Sequence, residues 1–418
     1  MGRDGHHRES PPALALALRL QSRIRSVRTL VIERRFAALF LTSFVLNAGY
    51  GSIYTLLAVI REQFGFSAAS IGVIGAAGFL AGFSSQVVLS RYADRGHTRT
   101  MLLVGLVFAL LGNLGMVVAT DLAAFVGSRV LLGLGAGTFA PAVRRLVISA
   151  EPEKAGERLG FMASFEMAGF ISGPVLASLL YEGAGLRATF VALALLLALL
   201  VLPVLRTAIP RGVRPQRGES PLRVLLRLPA IRGALLCSLA FYTTVGVFEA
   251  IWAVLLADRG ASQLFIGATL SVFSIPMLVF PPFAGRLAHR RGPLRIAALG
   301  IVFAIPCMVA YGWLGSLIGL AVLVAVHSIA DSFTMPSLQL GIAQGSPAEH
   351  LASGQGLVGA AGQLMAAVTA LCSGWLYGTY GPGVLFGGAA TLMTLLVVAG
   401  VWQGAALLNP VASPARSS

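Results

Sequence analysis

Apolar residues along this chain occur in long uninterrupted blocks, separated by short breaks rich in charged and turn-forming residues. Each block holds about 20 residues, the length at which one α-helix crosses a hydrocarbon core of about 30 Å. The weakest break lies near Gly315, where no charge marks the turn. Twelve spans are predicted, at about 36–60, 68–90, 100–120, 122–146, 158–181, 187–205, 231–256, 263–286, 294–314, 316–342, 353–379 and 382–407.

The composition supports a membrane protein. Hydrophobic residues make up 56% of the 418 residues and charged residues 11%, against about 25% charged in a soluble domain. A mean hydropathy of +0.83 is too high for burial in a single soluble core. The 49 glycines permit the close helix packing that membrane bundles use. The predicted fold class is therefore an all-α membrane protein.

Basic residues predict the orientation. Arginine crowds the N-terminal segment and every second break, and only Arg61, Arg187 and Arg259 fall on the other side. By the positive-inside rule both termini are expected to be cytoplasmic, in a multi-pass protein of the cell (inner) membrane. The Arg-rich segment 1–35 does not read as a cleavable signal. The net charge of +15 is thus topological, and no nucleic-acid partner is expected.

A Pro- and Arg-rich break at 206–230 divides the spans six and six. The halves also echo each other, since Gly185 and Gly381, like Phe190 and Phe386, are 196 positions apart. Two six-helix bundles related by a parallel repeat are a transporter architecture, with the substrate site between them near the midplane. The predicted domains are a cytoplasmic segment 1–35, bundles 36–205 and 231–408, the linker 206–230 and a cytoplasmic tail 409–418.

Four local patterns then resemble the major facilitator superfamily, over essentially all of the chain after residue 36. They are Ser-Arg-Tyr-Ala-Asp94-Arg95-Gly-His-Thr-Arg99 after span two, Gly285-Arg-Leu-Ala-His-Arg290-Arg291-Gly after span eight, Arg129-x-x-x-Gly133-x-Gly135-x-Gly137 in span four, and Gly169-Phe-Ile-Ser-Gly173-Pro174 in span five. The resemblance implies a twelve-helix fold with termini in the cytoplasm.

The first two patterns resemble the superfamily's conformational latch, which the resemblance assigns to Asp94, Arg95, Arg99, Gly285, Arg290 and Arg291. Ser90, His97, Thr98 and His289 depart from the family pattern. The alternative is a basic loop that only sets topology. The pattern in span five is similar to a motif of the antiporter branches, particularly drug/proton exporters, and it favours export. Its alternative is plain helix packing through small residues.

Ionisable residues within spans are the default functional candidates in a membrane protein. His327 and Asp331, four residues apart, share one face of span ten about 6 Å from each other, so they could exchange a proton or form a structural couple. By analogy with the superfamily, spans one, four, seven and ten line the central cavity. That places the pair on the path with Glu249, and Arg129 faces them unless it snorkels to the interface.

Two acids have structural alternatives: Glu249 could be wetted by an outer vestibule, and Glu166 could pair with a cytoplasmic-side arginine instead of carrying a proton. Aromatic and amide groups in spans one and seven offer surface for an amphipathic ligand, or they are simple packing. The cavity candidates, besides Arg129, are Asn47, Tyr50, Tyr54, Tyr242 and Trp252.

The leading functional hypothesis is a proton-coupled exporter of amphipathic or drug-like small molecules that works by alternating access. The alternatives are an importer or permease for a small metabolite and, more remotely, a membrane-embedded enzyme, a channel or a sensor. The sequence contains no catalytic motif of the zinc-protease or serine-hydrolase kind, and its three cysteines lack metal-ligand spacing. We therefore expect no enzyme activity, no cofactor and no metal. The expected partners are the substrate, protons and the lipid bilayer, with the chain a monomer.

Overall fold

A computed structural model describes residues 12–94, 97–150, 155–207, 221–347 and 350–409. Within these ranges the regular structure is helical, apart from short turns. The helices are α1 (Pro12–Phe64), α2 (Ala68–Asp94), α3 (Thr98–Val118), α4 (Leu122–Ala150), α5 (Ala155–Ala184), α6 (Leu186–Arg206), α7 (Pro221–Arg227), α8 (Pro229–Asp258), α9 (Gln263–Val279), α10 (Pro281–Arg291), α11 (Pro293–Trp313), α12 (Leu317–Gly345) and α13 (Leu351–Gln403), followed by a short 3₁₀ turn (Ala405–Leu407).

In the described part of the chain, ten helices are long and apolar enough to cross a membrane, and α9 with α10 makes an eleventh if that bent pair is one span. Helix α13 has 53 residues, which at about 1.5 Å per residue is roughly 80 Å and far exceeds a hydrocarbon core. Gly381 interrupts it with φ 80° and ψ 179°, angles outside the helical region that a residue without a Cβ adopts readily.

The break at Gly381 has a counterpart in the first half. Gly185, which separates α5 from α6, has φ 79° and ψ 177°, nearly the same conformation. Phe190 and Phe386, each five residues beyond its glycine, are both fully buried. In the sequence each pair has a spacing of 196 positions. In the structure the two glycines have matching backbone angles and the two phenylalanines have matching burial. This local agreement is what an internal repeat predicts.

Three predicted boundaries need comment. The turn near Gly315 is confirmed, because α11 ends at Trp313 and α12 begins at Leu317. Span eight was predicted as one helix over 263–286, but α9 ends at Val279 and α10 continues at an angle of 50°. The bend coincides with Pro281–Pro282, which removes two backbone N–H donors from the helix. The predicted linker 206–230 contains the short helix α7.

Helix α1 also begins earlier than its span. It starts at Pro12, inside the segment 1–35 that was predicted as a cytoplasmic tail, and only 36–64 is apolar enough to cross a membrane. Proline is well tolerated in the first turn of a helix, where its missing N–H has no partner to lose. The helix therefore continues beyond its membrane-spanning part at the N-terminal end.

Glycines let the helices of the first half approach to backbone contact. Helix α4 lies between two neighbours, and a Cβ on Gly133 would collide with the carbonyl oxygen of Gly78 on α2. On the opposite face, a Cβ on Gly135 would stand 2.8 Å from the carbonyl oxygen of Gly105 on α3. Lipid chains are as apolar as leucine, so such close van der Waals packing is what holds membrane helices together. The glycines of the span-four pattern are thus explained by packing.

The outer surface of the bundle is apolar. Large side chains such as Leu199 and Trp402 are 72% and 80% exposed, and similar residues cover α3, α6, α11 and α12. A soluble protein rarely tolerates contiguous apolar surface of this extent, whereas lipid acyl chains match it. The exposed apolar surface and the helical backbone are together consistent with a bundle that spans the bilayer.

The two halves meet mainly through α2 with α13, α5 with α9 and α1 with α8, and smaller contacts join α2 to α8 and α1 to α9. Helix α2 packs on α13, where a Cβ on Gly72 would lie 2.7 Å from the carbonyl oxygen of Ala370. Helix α5 packs on α9, where a Cβ on Gly267 would lie 2.7 Å from the carbonyl oxygen of Pro174. Helices α1 and α8 contact each other between these pairs. We use "the Arg61 end" for the end of the bundle at which α1 finishes and α2 starts.

Gly133→Ala is expected to lower the free energy of unfolding by about 1–3 kcal/mol, because the added methyl overpacks the contact with α2. The matched control is Gly127→Ala on the same helix, where a Cβ meets nothing within 4 Å and alanine should be neutral or stabilising. The measurement is chemical unfolding of the purified protein in detergent. Equal effects of the two substitutions would contradict the packing account.

Candidate functional site

Arg129 lies fully buried in α4, about two turns from the N-terminal end of the helix. Its Nη2 donates a hydrogen bond of 2.8 Å to the hydroxyl of Tyr54 on α1. The guanidinium carbon stands 4.8 Å from the ring centre of Tyr50 and 5.1 Å from that of Tyr54, distances at which aromatic faces attract cations. The arginine therefore points into the protein and does not snorkel to the interface.

Space for this side chain comes from a glycine on the neighbouring helix. A Cβ at Gly78 on α2 would stand 2.5 Å from Nε of Arg129. Among the described residues, Nε and Nη1 of the arginine have no hydrogen-bond partner. A glycine in an apolar helix gives little signal in the sequence. The regular small-residue spacing Gly72, Gly75, Gly78 and Gly82 was the only indication that something packs closely on α2.

Glu249 on α8 brings the second half into the site. Its carboxyl group lies beside Tyr54 and near Arg129. Its Oε2 is buried and has no hydrogen-bond partner among the described residues. Tyr54 thus lies between a cation of the first half, to which its hydroxyl is hydrogen-bonded, and an acid of the second. We call these three residues the Arg129–Tyr54–Glu249 bridge.

The bridge lies below the Arg61 end of the bundle. Tyr54 is seven residues before Arg61 on α1, and Glu249 is nine residues before Asp258 on α8. At about 1.5 Å per residue, these separations place the bridge roughly 10–14 Å inside the bundle. At this depth Oε2 of Glu249 is buried although the residue as a whole is half-buried, and the alternative of an acid wetted by an outer vestibule stays a prediction.

Other predicted cavity residues lie on the same two helices. Tyr50 and Tyr242 are half-buried, and the ring of Tyr242 packs against Gly362 of α13. Asn47 donates its side-chain amide to the carbonyl oxygen of Ser43 at 2.8 Å, within its own helix. Tyr50, Tyr54 and Tyr242 therefore offer aromatic surface close to Glu249. Asn47 contributes its remaining amide oxygen one turn from Tyr50.

His327 and Asp331 lie elsewhere, inside the second half. The imidazole is fully buried, and its Nδ1 is 3.1 Å from the hydroxyl of Tyr311 on α11. Nε2 is 3.6 Å from Oδ1 of Asp331, which is too long for a hydrogen bond. The structure thus keeps the predicted pair together but turns the imidazole toward α11. Tyr311 had no signal in the sequence that linked it to this pair.

Trp252 belongs to an aromatic cluster around the same histidine. It stacks on Phe248 at 5.0 Å and donates its indole N–H to the hydroxyl of Thr269 at 3.0 Å. Phe248 in turn contacts the rings of Tyr311 and His327. The cluster is buried in the core of the second half. Trp252 is therefore packed rather than presented to a cavity.

Glu166 forms an ion pair with Arg144, with a separation of 3.5 Å between Oε2 and Nη2. The pair joins α5 to α4 and is partly exposed. This is the structural alternative that the sequence had left open for Glu166, a partnership with an arginine near the end of span four. Such exposed pairs contribute about 0–1 kcal/mol, so Glu166 has the surroundings of a surface contact.

The antiporter-like pattern in α5 forms a contact surface on two sides. A Cβ on Gly169 or Gly173 would collide with the carbonyl oxygens of Phe44 and Ala48 on α1. The opposite side of α5, at Pro174 and Ser178, faces Gly267 of α9 in the second half. The pattern therefore places α5 directly between α1 and the other half.

The Arg61 end is closed by polar contacts between the halves. Nη1 of Arg61 is 2.6 Å from Oδ1 of Asp258, and the hydroxyl of Tyr377 donates to Oδ2 of the same carboxylate at 2.9 Å. We call this the Arg61–Asp258–Tyr377 cluster. Sequence reasoning missed it, because each residue stands at the end of a different span and only the fold brings them together.

Side chains bonded to backbone carbonyls add to this closure. Gln263 donates to the carbonyl oxygen of Thr55 at 2.8 Å, and Ser178 donates to that of Gln263 at 3.0 Å. Further along the same helices, Ser271 donates to the carbonyl oxygen of Ile171 at 2.6 Å. Helix α9 is thereby joined to α1 and α5 by three hydrogen bonds.

The latch residues are only partly described. Arg95 and the side chain of Asp94 lie outside the described residues. Arg99 donates to the carbonyl oxygen of Leu205 at 2.9 Å, joining α3 to the end of α6. Gly285, Arg290 and Arg291 lie in α10, beyond the bend in span eight.

Comparison with known proteins fits this architecture. The sequence profile of the Major Facilitator Superfamily matches residues 39–251 and again 234–416, one match for each half. The chain belongs to the Major Facilitator Superfamily. The resemblance drawn from the four local patterns is thus confirmed, and with it a multi-pass membrane transporter of this superfamily.

Among superfamily members, the chain is 25% identical to the multidrug resistance protein MdtG of Escherichia coli over 328 residues, covering 73% of this chain and 79% of MdtG. Similar solved structures include a bacterial homologue of the human lysosomal transporter Spinster (TM-score 0.76, 14% identity, 91% of this chain and 99% of that one). The nucleoside transporter NupG (TM-score 0.71, 17% identity, 88% and 98%) is another. At these identities the structures support the fold alone.

Asp258→Asn is expected to open the Arg61 end more often, because it removes the charge that both Arg61 and Tyr377 contact. Loss of one such pair shifts a two-state equilibrium by about 1 kcal/mol, or about fivefold. The measurement is the rate at which a membrane-impermeant maleimide labels Gly75→Cys in a cysteine-free background, since a Cβ at Gly75 stands 3.8 Å from both Ala250 and Ala370. Glu182→Gln, an exposed acid at the same end, should leave the rate unchanged.

Tyr54→Phe is expected to lower the free energy of unfolding by about 1–3 kcal/mol, because the buried Arg129 loses the acceptor of its Nη2 hydrogen bond. The ring remains beneath the guanidinium, so the change tests the hydroxyl alone. Tyr50→Phe, which alters the other ring in contact with Arg129, is the control and should cost less. Unfolding in detergent by denaturant measures both. A larger cost for Tyr50→Phe would argue against the bridge.

Proposed function

We propose that this protein is a twelve-span secondary transporter that exports amphipathic or drug-like small molecules in exchange for protons. In this proposal the chain works as a monomer in the cytoplasmic (inner) membrane with both termini in the cytoplasm. Spans eleven and twelve are the two parts of α13 on either side of Gly381, and α9 with α10 forms span eight. The bundles are 36–205 and 231–408, joined by the linker 206–230.

The observation that carries the proposal is the Arg129–Tyr54–Glu249 bridge. An ionisable acid and a cation are expensive inside a membrane and mark the path of a substrate or ion. Here they come from opposite halves, so any movement that separates the halves must change the surroundings of Glu249. A proton on this carboxyl group can therefore bias the equilibrium between the two orientations.

The direction of that bias follows from burial. In the closed arrangement Oε2 of Glu249 is enclosed and has no hydrogen-bond partner among the described residues. Burying an ionised carboxylate in this way costs more free energy than burying the neutral acid. Protonation should therefore favour closure of the Arg61 end, and a hydrated, ionised Glu249 should favour opening. If the Arg61 end is external, protons taken up outside drive the carrier to its inward-facing state.

Export of amphipathic molecules has three supports. The antiporter-like pattern lies at the contact between α1, α5 and α9. Helices α5 and α9 belong to different halves, so their contact must change when the halves change orientation. MdtG, at 25% identity, is described as a multidrug resistance protein. The half-buried rings of Tyr50 and Tyr242 beside an acid suit a ligand with an aromatic part and a positive charge. The latch residues, in this proposal, fix span ends at the cytoplasmic side.

One alternative concerns the function and another concerns the proton site. An importer or permease for a small metabolite would use the same fold. His327 and Asp331 remain a second candidate for the proton site, although their position against Tyr311 gives them the contacts of a structural couple. The experiment below is designed to separate these possibilities.

Flux of a fluorescent cationic dye into proteoliposomes is the test, with and without an imposed pH gradient. The wild-type protein is expected to move dye against its own gradient only while protons flow the other way. Glu249→Gln, which fixes a neutral side chain of the same size, should abolish the effect of the pH gradient and keep passive exchange of dye. Glu166→Gln is the matched control, because it changes an acid of α5 that pairs with Arg144 at the surface.

Each outcome has a distinct meaning. If Asp331→Asn abolishes coupling and Glu249→Gln does not, the proton site lies in the second half and the bridge is structural. If the wild-type protein does not respond to the pH gradient with several dyes, proton-coupled drug export is wrong, and uptake of metabolites should be measured next.

A further inference from the structure

Helix α10 follows α9 directly, with only a bend between them. It continues span eight after Phe280, but it leans away from α9 by 50°. One of its faces is buried, with Ala284 and Ala288 fully enclosed against α11 and α12. The opposite face carries Phe283, Arg286, His289 and Arg290, all exposed. Their spacing of three and four residues places them on one side of the helix.

The exposed side chains change in character along α9 and α10. On α9 they are aliphatic, with Val272, Ile275 and Leu278 between 43% and 49% exposed. Phe283 then follows at 54% exposed, and beyond it the exposed positions are basic. This is the order of a bilayer leaflet, in which acyl chains give way to the interface, where aromatic residues are enriched, and then to headgroups. The bend therefore carries the lipid-facing stripe of α9 into the headgroup region.

The basic residues here are not neutralised by protein. Arg286, Arg290, Arg291 and Arg295 are exposed, and no acid pairs with them among the residues whose side chains the structure describes. The segment 281–295 itself contains no acid. The guanidinium of Arg286 instead lies 4.8 Å from the ring centre of Phe283. This contact holds a cation directly beside an apolar side chain, and it leaves the guanidinium edge free to bond an anion.

We propose that the exposed face of α10 binds the headgroup of an anionic phospholipid. Arg286 and Arg290 contact the phosphate, and Phe283 packs against the upper part of an acyl chain. A free phosphate ion could bind the arginines but has no apolar part to pack against the phenyl ring of Phe283. A phospholipid has both parts, and for this reason the lipid is the occupant. The site does not use the Arg129–Tyr54–Glu249 bridge, although Arg290 is also one of the latch residues of the export proposal.

Native mass spectrometry of the purified protein with added phosphatidylglycerol or phosphatidylcholine tests the site. The wild-type protein should retain phosphatidylglycerol in preference to phosphatidylcholine. A basic residue near a membrane surface contributes about 1 kcal/mol of attraction to anionic lipid, or about fivefold in affinity. Arg286→Gln with Arg290→Gln should therefore weaken phosphatidylglycerol binding by more than about tenfold and leave phosphatidylcholine binding unchanged. Arg286→Lys with Arg290→Lys should keep most of the preference.

The matched control is Arg223→Gln with Arg227→Gln, two exposed arginines four residues apart on α7. An equal loss in the α7 and α10 variants would overturn the proposal, because it would indicate attraction to net charge alone. An unchanged preference in the α10 variant would also overturn it. Unfolding in lipid-free detergent should be the same for all variants, since these side chains are exposed.

Phe283→Ala distinguishes the lipid from a soluble anion. It should weaken phosphatidylglycerol binding but should not alter the effect of excess inorganic phosphate on the protein's thermal unfolding. Stabilisation by inorganic phosphate that depends on Arg286 and Arg290, together with unchanged lipid binding in Phe283→Ala, would assign the site to free phosphate and contradict the lipid assignment.

Discussion

A charge taken into a helix bundle must find its partners inside the protein, and Arg129 shows how much follows from that requirement. Its guanidinium needs room, which Gly78 provides, and an acceptor, which Tyr54 provides. Glu249 lies beside the same tyrosine. Because the acid comes from the other half, the burial of one arginine links the internal order of the first bundle to its contact with the second.

Glycine residues allow the close helix packing that holds each bundle together. Hydrophobic burial does not draw helices together in lipid, so backbone contact and hydrogen bonds must do so. Gly133 and Gly135 hold α4 between its neighbours, and Gly169 and Gly173 hold α5 on α1. Rigid bundles of this kind move as bodies. A local event at Glu249 can therefore be transmitted to the whole interface.

The contacts between the halves include close backbone approach at glycines, as within each half, and also polar contacts at the Arg61 end. At the Arg61 end the polar contacts are the ion pair of Arg61 with Asp258, the hydrogen bond from Tyr377 to the same carboxylate, and two hydrogen bonds from side chains to carbonyl oxygens. Each such contact contributes about 1 kcal/mol. A closure made of several weak polar contacts can be broken and remade, whereas the aromatic core around His327, Phe248 and Tyr311 cannot be rearranged without losing its packing.

The sequence by itself determined the membrane class, the helical fold, the position of nearly every span and the superfamily, because these depend on block length, composition and local motifs. It also found Arg129, Tyr54 and Glu249, because buried charge in an apolar block is conspicuous. Only the tertiary structure decided their partners. The contacts of Tyr54 with Glu249 and of Asp258 with Tyr377 bring together residues about 120 to 200 positions apart, and no periodicity encodes such distances. The rotation of α12 that turns His327 toward Tyr311, and the bend at Phe280, likewise depend on how neighbouring helices pack.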